Sequence, residues 1–326
     1  MAISIQLVCA VGVVAIATFI NLPAPRFSKR LEEWRNMGQY FNYKGNAIFY
    51  QDFRGFKEDD GIVVLCIHGF PTSNYDWSKV FKLTCTLYII SYVRADMLGL
   101  GFSDKPRERE YTVMEQASLQ EEFLQLNMSG IIQHFAVLSS FRYEDRKSKQ
   151  QDPTDYTKIE SLCLTNGGIF PDTHFPKVIQ KLALNAWLGP LIARLTSYPV
   201  FARSLASVFG PHTRPPREEL QDFWTIMRHK DGYLVAPSIL QYINQRYEHR
   251  GRWVGIMQTT TVPVHFIYGP ADPINPPQTL TKYRELVVKG TYKSLSEDIG
   301  HYPHWEDPDG FIAAYEHFLI KVMPEK

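Results

Sequence analysis

Apolar positions along the chain gather into short runs separated by turn residues. Residues 47–53 (AIFYQDF) read as a strand, and residues 62–67 (IVVLCI) as a continuous β-branched and apolar run. A strand buried on both faces needs such a run. Residues 87–93 (LYIISYV), 161–165 (SLCLT) and 262–268 (VPVHFIY) have the same character. Residues 112–126 follow a helical pattern, with Val113, Ala117, Leu119, Phe123 and Leu124 as the apolar positions. Strands that alternate with helices predict an α/β domain, a mostly parallel sheet covered on both sides. The stretch from 171 to 250 is different: helical in pattern, rich in Pro, Trp and Tyr, and without a buried strand. It reads as a helical cap inserted between two strands. The expected division is therefore an amino-terminal segment over 1–25, a core over 40–170, the cap over 171–250 and the rest of the core over 251–326.

Residues 1–25 carry no Asp, Glu, Lys or Arg. Ile3 to Ile20 is an apolar stretch of 18 residues, broken only by Ser4, Gln6, Gly12 and Thr18. A spanning helix needs ~20 apolar residues, so the expectation is an N-terminal membrane helix. A cleaved signal peptide would have a positive n-region, which is missing here. Arg26, Lys29, Arg30 and Arg35 follow the run and put its carboxyl side in the cytosol. Asn127-Met128-Ser129 is a glycosylation sequon that matters only in a lumen.

Composition narrows the classes further. At 326 residues with 44% hydrophobic and 21% charged residues, the chain is neither disordered nor a fibrous rod. Lys plus Arg total 35 and Asp plus Glu 34, a balance that leaves no electrostatic footprint for nucleic acid. The four cysteines, at 9, 66, 85 and 163, have neither CxxC nor metal-ligand spacing. No metal, cofactor or disulfide framework is expected.

In open α/β sheets, ligands bind beyond the carboxyl ends of the strands. Residues 62–67 end at His68-Gly69-Phe70-Pro71, and 87–93 lead to Asp96, Gly99, Gly101, Ser103 and Pro106. Residues 262–268 end at Gly269-Pro270-Ala271-Asp272-Pro273, and Gly300-His301-Tyr302-Pro303 comes late in the chain. Taken singly, an Asp after a strand is usually a cap and a His usually structural. Together, an acid and a late His on neighbouring loops suggest a carboxylate that orients an imidazole general base. The Phe70 N–H could meet a developing oxyanion.

These residues in this order resemble an α/β-hydrolase of the epoxide hydrolase and haloalkane dehalogenase branch. The His68–Pro71 turn, the block from Asp96 to Pro106, the Asp272 loop and His301 carry the likeness. So do FPTSNYDW (70–77), SLCLTNGGIFP (161–171), QYINQR (241–246), RWVG (252–255), HFIYGPADPINP (265–276) and HYPHWEDP (301–308). The resemblance implies a capped, mostly parallel sheet and a membrane-associated protein of the endoplasmic reticulum membrane. The substrate it implies is a small apolar or lipid-like molecule. By the same resemblance Asp272 is the charge-relay acid, His301 the base and Phe70 an oxyanion-hole donor. Tyr198, Tyr233 and Tyr242 are the candidate cap tyrosines that polarise a substrate oxygen.

One part of the pattern is missing. The nucleophile of that branch is an Asp in a His-Asp-x-Gly elbow, after a strand that should be FAVLS (135–139). This chain continues Ser139-Ser140-Phe141-Arg142-Tyr143-Glu144-Asp145, and no Gly lies between Gly130 and Gly167. Leu138 and Phe141 are too bulky for the crowded turn. Residues 140–160 hold ten charged residues in 21, too few apolar positions for a helix packed on a sheet. No nucleophile is assigned, and no Gly-x-Ser-x-Gly occurs to replace it with a serine. The expectation is a hydrolase impaired in its covalent step. The alternatives are a non-catalytic, membrane-tethered binding protein and a truncated form of an active hydrolase.

Overall fold

The structure, a computed structural model, describes residues 2–53, 62–80, 90–127, 131–133 and 159–322. Eight strands form one sheet: β1 (Gln39–Tyr43), β2 (Asn46–Phe53), β3 (Ile62–Leu65), β4 (Ile90–Ala95), β5 (Ile131–Gln133), β6 (Ile159–Leu164), β7 (Val264–Tyr268) and β8 (Thr291–Ser294). Their order is β1-β2-β4-β3-β5-β6-β7-β8. The β1–β2 and β2–β4 pairs are antiparallel, and every pair from β4 to β8 is parallel. The β1–β2 hairpin turns at Lys44 and Gly45, with φ of 49° and 82°. Two successive positive φ values match the twist of paired strands, and Gly takes one without strain.

The helices are α1 (Ala2–Ile20), α2 (Lys29–Asn36), α3 (Val113–Asn127), α4 (Val178–Ala183), α5 (Leu188–Leu195), α6 (Tyr198–Ala206), α7 (Arg217–Arg228), α8 (Gly232–Leu240), α9 (Tyr242–Glu248), α10 (Arg250–Thr259), α11 (Gln278–Leu286), α12 (Pro303–Glu306) and α13 (Pro308–Val322). All of β7 is buried. His265 on that strand stacks on Phe318 of α13 at 4.9 Å between ring centroids. On the other side Val63, Leu65 and Val93 pack with Leu119 and Phe123 of α3. Helices thus cover both faces, as the apolar runs predict. Between β6 and β7 the chain forms helices α4 to α10 and no strand. Phe201 and Leu205 of α6 and Phe223, Trp224 and Met227 of α7 pack on Tyr302 and Trp305 beside the sheet edge.

The N-terminal membrane helix is not supported in the form expected. Among the described residues no helix is long and apolar enough to cross a membrane. The run does fold as a helix, α1, of 19 residues. At 1.5 Å per residue it reaches about 28 Å, just under a ~30 Å hydrocarbon core. Beyond it, Arg228 donates to the Leu22 carbonyl at 2.5 Å, and Arg30 pairs with the buried Asp222 of α7 at 2.6 Å. The start of the chain is therefore tied to the cap.

Two further expectations need adjusting. The strand read at 87–93 is Ile90–Ala95, with 81–89 outside the described residues. FAVLS, the region of the missing elbow from Ser139 to Asp145, Cys85 and the Met128-Ser129 part of the sequon also lie outside them. The described β5 stands between β3 and β6, ahead of FAVLS.

Candidate active site

Asp272 and His301 stand on loops after β7 and β8 that approach very closely. A Cβ on Gly269 would overlap the Gly300 carbonyl oxygen, so glycine lets these two backbones touch. Ala271 N donates to Ile299 O at 2.8 Å and links the loops. The His301 loop is also clamped by Glu306. One oxygen of Glu306 accepts from Gly300 N at 2.8 Å and from Gly210 N at 2.8 Å. The other accepts from Tyr302 N at 2.9 Å.

The result is a 2.8 Å contact between His301 Nδ1 and Asp272 Oδ2. Asp272 is 2% exposed. Ile274 N donates to its other oxygen at 2.7 Å, and the amides of Asn166 and Asn275 donate to Oδ2 at 3.1 Å each. Burial pushes the carboxyl up, but the adjacent His301 and these hydrogen bonds outweigh it and hold the carboxyl below its ordinary value. An ionised Asp272 fixes the proton on His301 Nδ1 and leaves Nε2 with a lone pair. Asn166 is fixed in turn, accepting from Gly269 N and donating to Gly269 O, both at 2.7 Å. Asn275 Nδ2 donates to Asn166 O at 2.7 Å. Residue order pointed to Asp272 and His301. It did not point to Asn166, Asn275 or Glu306, although Asn166 directly follows a predicted strand and Asn275 lies three residues past the acid.

The turn after β3 is fixed by His68. Its Nδ1 donates to Gly69 O at 2.9 Å, and its Nε2 accepts from Met97 N at 3.0 Å. Burial lowers its pKa to about 4, so the ring is neutral in the tautomer these bonds require. Asp96 is fully buried and accepts from Asn74 N and Phe102 N at 2.7 Å each. It ties the turns after β3 and β4 together and does not reach the reacting side of the site. Among the described residues no acceptor meets the Phe70 N–H, the donor read as an oxyanion contact.

His301, Phe70, His174, Tyr242 and Tyr302 line two adjoining cavities of about 250 and 190 Å³. Apolar side chains dominate both: Ile67, Leu100, Ile239 and Trp253 in the first, Ile192, Val200, Phe201 and Leu240 in the second. Of the three cap tyrosines, Tyr242 lines both cavities, with its ring centroid 6.0 Å from that of Phe70. Tyr233 lines only the second cavity, beneath the Arg228 guanidinium. Tyr198 lines neither, and its hydroxyl donates to Arg217 O at 3.1 Å.

Two other groups on the first cavity could be mistaken for nucleophiles. Burial pushes the Cys163 thiol well up and leaves no thiolate. Asp76, bonded to Thr72 at 2.5 Å, is likewise pushed well above the carboxylate range by burial. Among the described residues no group of three or more His, Cys, Asp or Glu side chains could hold a metal ion.

No family model matches the chain. The mesoderm-specific transcript protein of Mus musculus is 45% identical over 320 residues, which is 95% of this chain and 94% of that one. Among solved structures, a membrane phospholipase A described as a bacterial virulence factor superposes with a TM-score of 0.63 at 19% identity. That match covers 98% of this chain and 97% of the other. An enantioselective mutant of the epoxide hydrolase from Aspergillus niger superposes with a TM-score of 0.65 at 14% identity, covering 91% and 82%. At such identities these likenesses establish the α/β-hydrolase fold alone.

Proposed function

Because the chain belongs to the family of the mesoderm-specific transcript proteins, with an α/β-hydrolase fold, we propose that it is a membrane-associated hydrolase-family protein whose pocket keeps the acid–base half of an epoxide hydrolase-like site and lacks the covalent half. The observation that carries this reading is the 2.8 Å Asp272–His301 pair, beside a largely apolar cavity that also holds the Phe70 turn. His301 Nε2 takes the proton of a water, and Asp272 stabilises the imidazolium that forms. The Phe70 N–H receives the charge that develops on the substrate oxygen. Tyr242 is the cap tyrosine that this reading assigns to polarise the same oxygen. The substrate is a small apolar or lipid-like epoxide or ester. What is missing is a carboxylate that could form an alkyl-enzyme intermediate, since no His-Asp-x-Gly occurs in the chain. Losing a nucleophile forfeits several orders of magnitude in rate.

Membrane association, at the endoplasmic reticulum as the resemblance implies, is supported by the uncharged α1 and by the cap. Trp187 (88% exposed), Val178, Leu182, Leu188, Leu191, Leu195 and Val200 leave a broad apolar surface uncovered on α4 to α6. From 173 to 217 the chain carries Lys177, Lys181, Arg194, Arg203, Arg214 and Arg217 and no Asp or Glu. Apolar side chains edged by cations suit an anionic bilayer surface. The second cavity runs beneath the same helices, among Ile179, Ile192 and Val200.

A side-by-side assay tests the reading. The chain is compared with one that has a His-Asp-Tyr-Gly elbow and helix restored after Ser139, on an epoxide and an ester. Turnover confined to the restored chain and lost with His301→Ala is the expected result. Equal turnover by both chains would refute the missing covalent half. Silence in both would favour a binding protein.

A further inference from the structure

The cavity beside His301 contains a cation, Arg246, that no carboxylate among the described residues accompanies. Arg246 lies on α9, one helical turn after Tyr242, and its guanidinium carbon sits 4.5 Å from the centroid of the Tyr242 ring. Residues four apart share a helix face, so both side chains meet the same cavity. Space for the guanidinium is provided by Gly168, where a Cβ would overlap Arg246 Nη1. Nη1 is buried and has no hydrogen-bond partner among the described residues. Among the described residues no carboxylate forms an ion pair with Arg246, whereas Arg30, Arg107, Arg109 and Arg250 each pair with one.

Taking a charge out of water is costly unless it is paired and hydrogen-bonded. The Tyr242 ring face offsets part of that cost, but among the described residues no anion completes it. His174, next to Arg246, is neutral: burial first, and the Arg246 charge second, bring its pKa down to about 4. Its Nδ1 donates to Asn275 Oδ1 at 3.0 Å, and its Nε2 forms no hydrogen bond with Arg246 among the described residues. A planar guanidinium with free N–H groups pairs best with a flat or tetrahedral oxyanion.

We propose that Arg246 is an anion-binding subsite, holding the carboxylate or phosphate headgroup of an amphipathic substrate whose apolar part fills the cavity. The headgroup then sits on the cap side, and the labile bond faces His301. This assignment rests on the reading of the cavity as a substrate pocket and narrows the substrate to an amphipathic anion.

The test is a binding measurement on the full chain, independent of turnover. Calorimetric titrations use decanoate, monodecyl phosphate and the neutral methyl decanoate. Hydrogen bonds to a charged group predict that at least one anion binds roughly tenfold to a hundredfold more tightly than the neutral ester. Which of the two anions binds better identifies the headgroup. Arg246→Gln is expected to lower anion affinity to that of the ester and leave ester affinity unchanged, with Arg246→Lys intermediate. The His301→Ala chain is expected to keep the anion preference, which separates this proposal from the hydrolysis assay. Equal affinity for ester and anions in the unaltered chain, or no binding of any of the three, would overturn the subsite. That comparison needs no substitution and so does not depend on how the variants fold.

Discussion

Replacing Asp272 by Asn changes one atom and one charge at the best-connected carboxylate of the site. Oδ2 receives His301 Nδ1 at 2.8 Å and the Asn166 and Asn275 amides at 3.1 Å, while Oδ1 receives Ile274 N at 2.7 Å. If the new amide nitrogen takes the place of Oδ2, three donors lose their acceptor. At about 1 kcal/mol each, the loss is about 3 kcal/mol. If the amide turns over, Ile274 N is orphaned and the other three bonds lose their charge assistance, which comes to about 2–3 kcal/mol. Either way Asp272→Asn should lower the unfolding free energy at pH 7 by about 2–3 kcal/mol, measured by urea denaturation. The sign of the pH dependence follows from the carboxyl's position below its ordinary value of 3.8. A carboxylate depressed on folding contributes stability above the unfolded pKa and loses it as pH falls through the folded one. The gap between the two chains should therefore be full at pH 7 and narrow as pH falls below 3.8. A gap below ~0.5 kcal/mol at pH 7 would mean that the network does not hold the site together. A gap that does not shrink as pH falls below 3.8 would mean that the charge of Asp272 is not what matters.

Buried histidines make a separate prediction. Burial holds His68, His174, His229 and His265 at about 4, below the ordinary 6.5. The unfolded chain therefore binds protons that the native chain does not, and stability should fall as pH drops from 6.5 toward 4. His265→Phe, on the strand face stacked on Phe318, should flatten that slope by one proton, ~1.4 kcal/mol per pH unit, in urea titrations across the window. The cap surface predicts flotation with anionic vesicles and less with zwitterionic ones, and a large loss for the pair Trp187→Glu and Leu191→Glu. Unchanged flotation of that pair would leave α1 as the membrane contact.

What the sequence made legible depended on burial. β3 and β7 announce themselves because both faces are covered, so nearly every residue is apolar. β8 (TYKS) is an edge strand with three exposed residues in four, and β1 (QYFNY) is the opposite edge. Neither has an apolar run, and neither was expected. Asp272 and His301 were readable because each stands on a loop past a strand end, in an order that names a chemistry. Their supports were not. Asn166, Asn275 and Glu306 act through contacts that mix their own loops with distant ones, Asn166 with Gly269 and Glu306 with Gly210 among them, and such contacts leave no local pattern. Tyr198, Tyr233 and Tyr242 could not be ranked by sequence, because only the packing of α6, α8 and α9 decides which one meets the cavity.

The Asp272 network has a structural role whether or not the chain turns over a substrate. Through Asn166 and Asn275 it joins the loop after β6 to the loop after β7, with Ile274 N and Gly269 N satisfied on the way. The Asp272–His301 pair therefore carries structural weight beside its chemical role, because removing the carboxylate would loosen the loops after β6 and β7. The Phe70 N–H and Arg246 Nη1 differ in kind. Each lies on the cavity, and neither finds an acceptor among the described residues. Buried donors in folded proteins are normally satisfied, so the buried Arg246 Nη1, with the Phe70 N–H open on the same cavity, points to a ligand that completes them. They also require different parts of it: a polarised oxygen at Phe70 near the base, and a full negative charge at Arg246 on the cap. A neutral ligand can satisfy the first and not the second. That is why the decanoate and methyl decanoate titrations bear on the pocket's purpose more directly than any substitution of the Asp272–His301 pair.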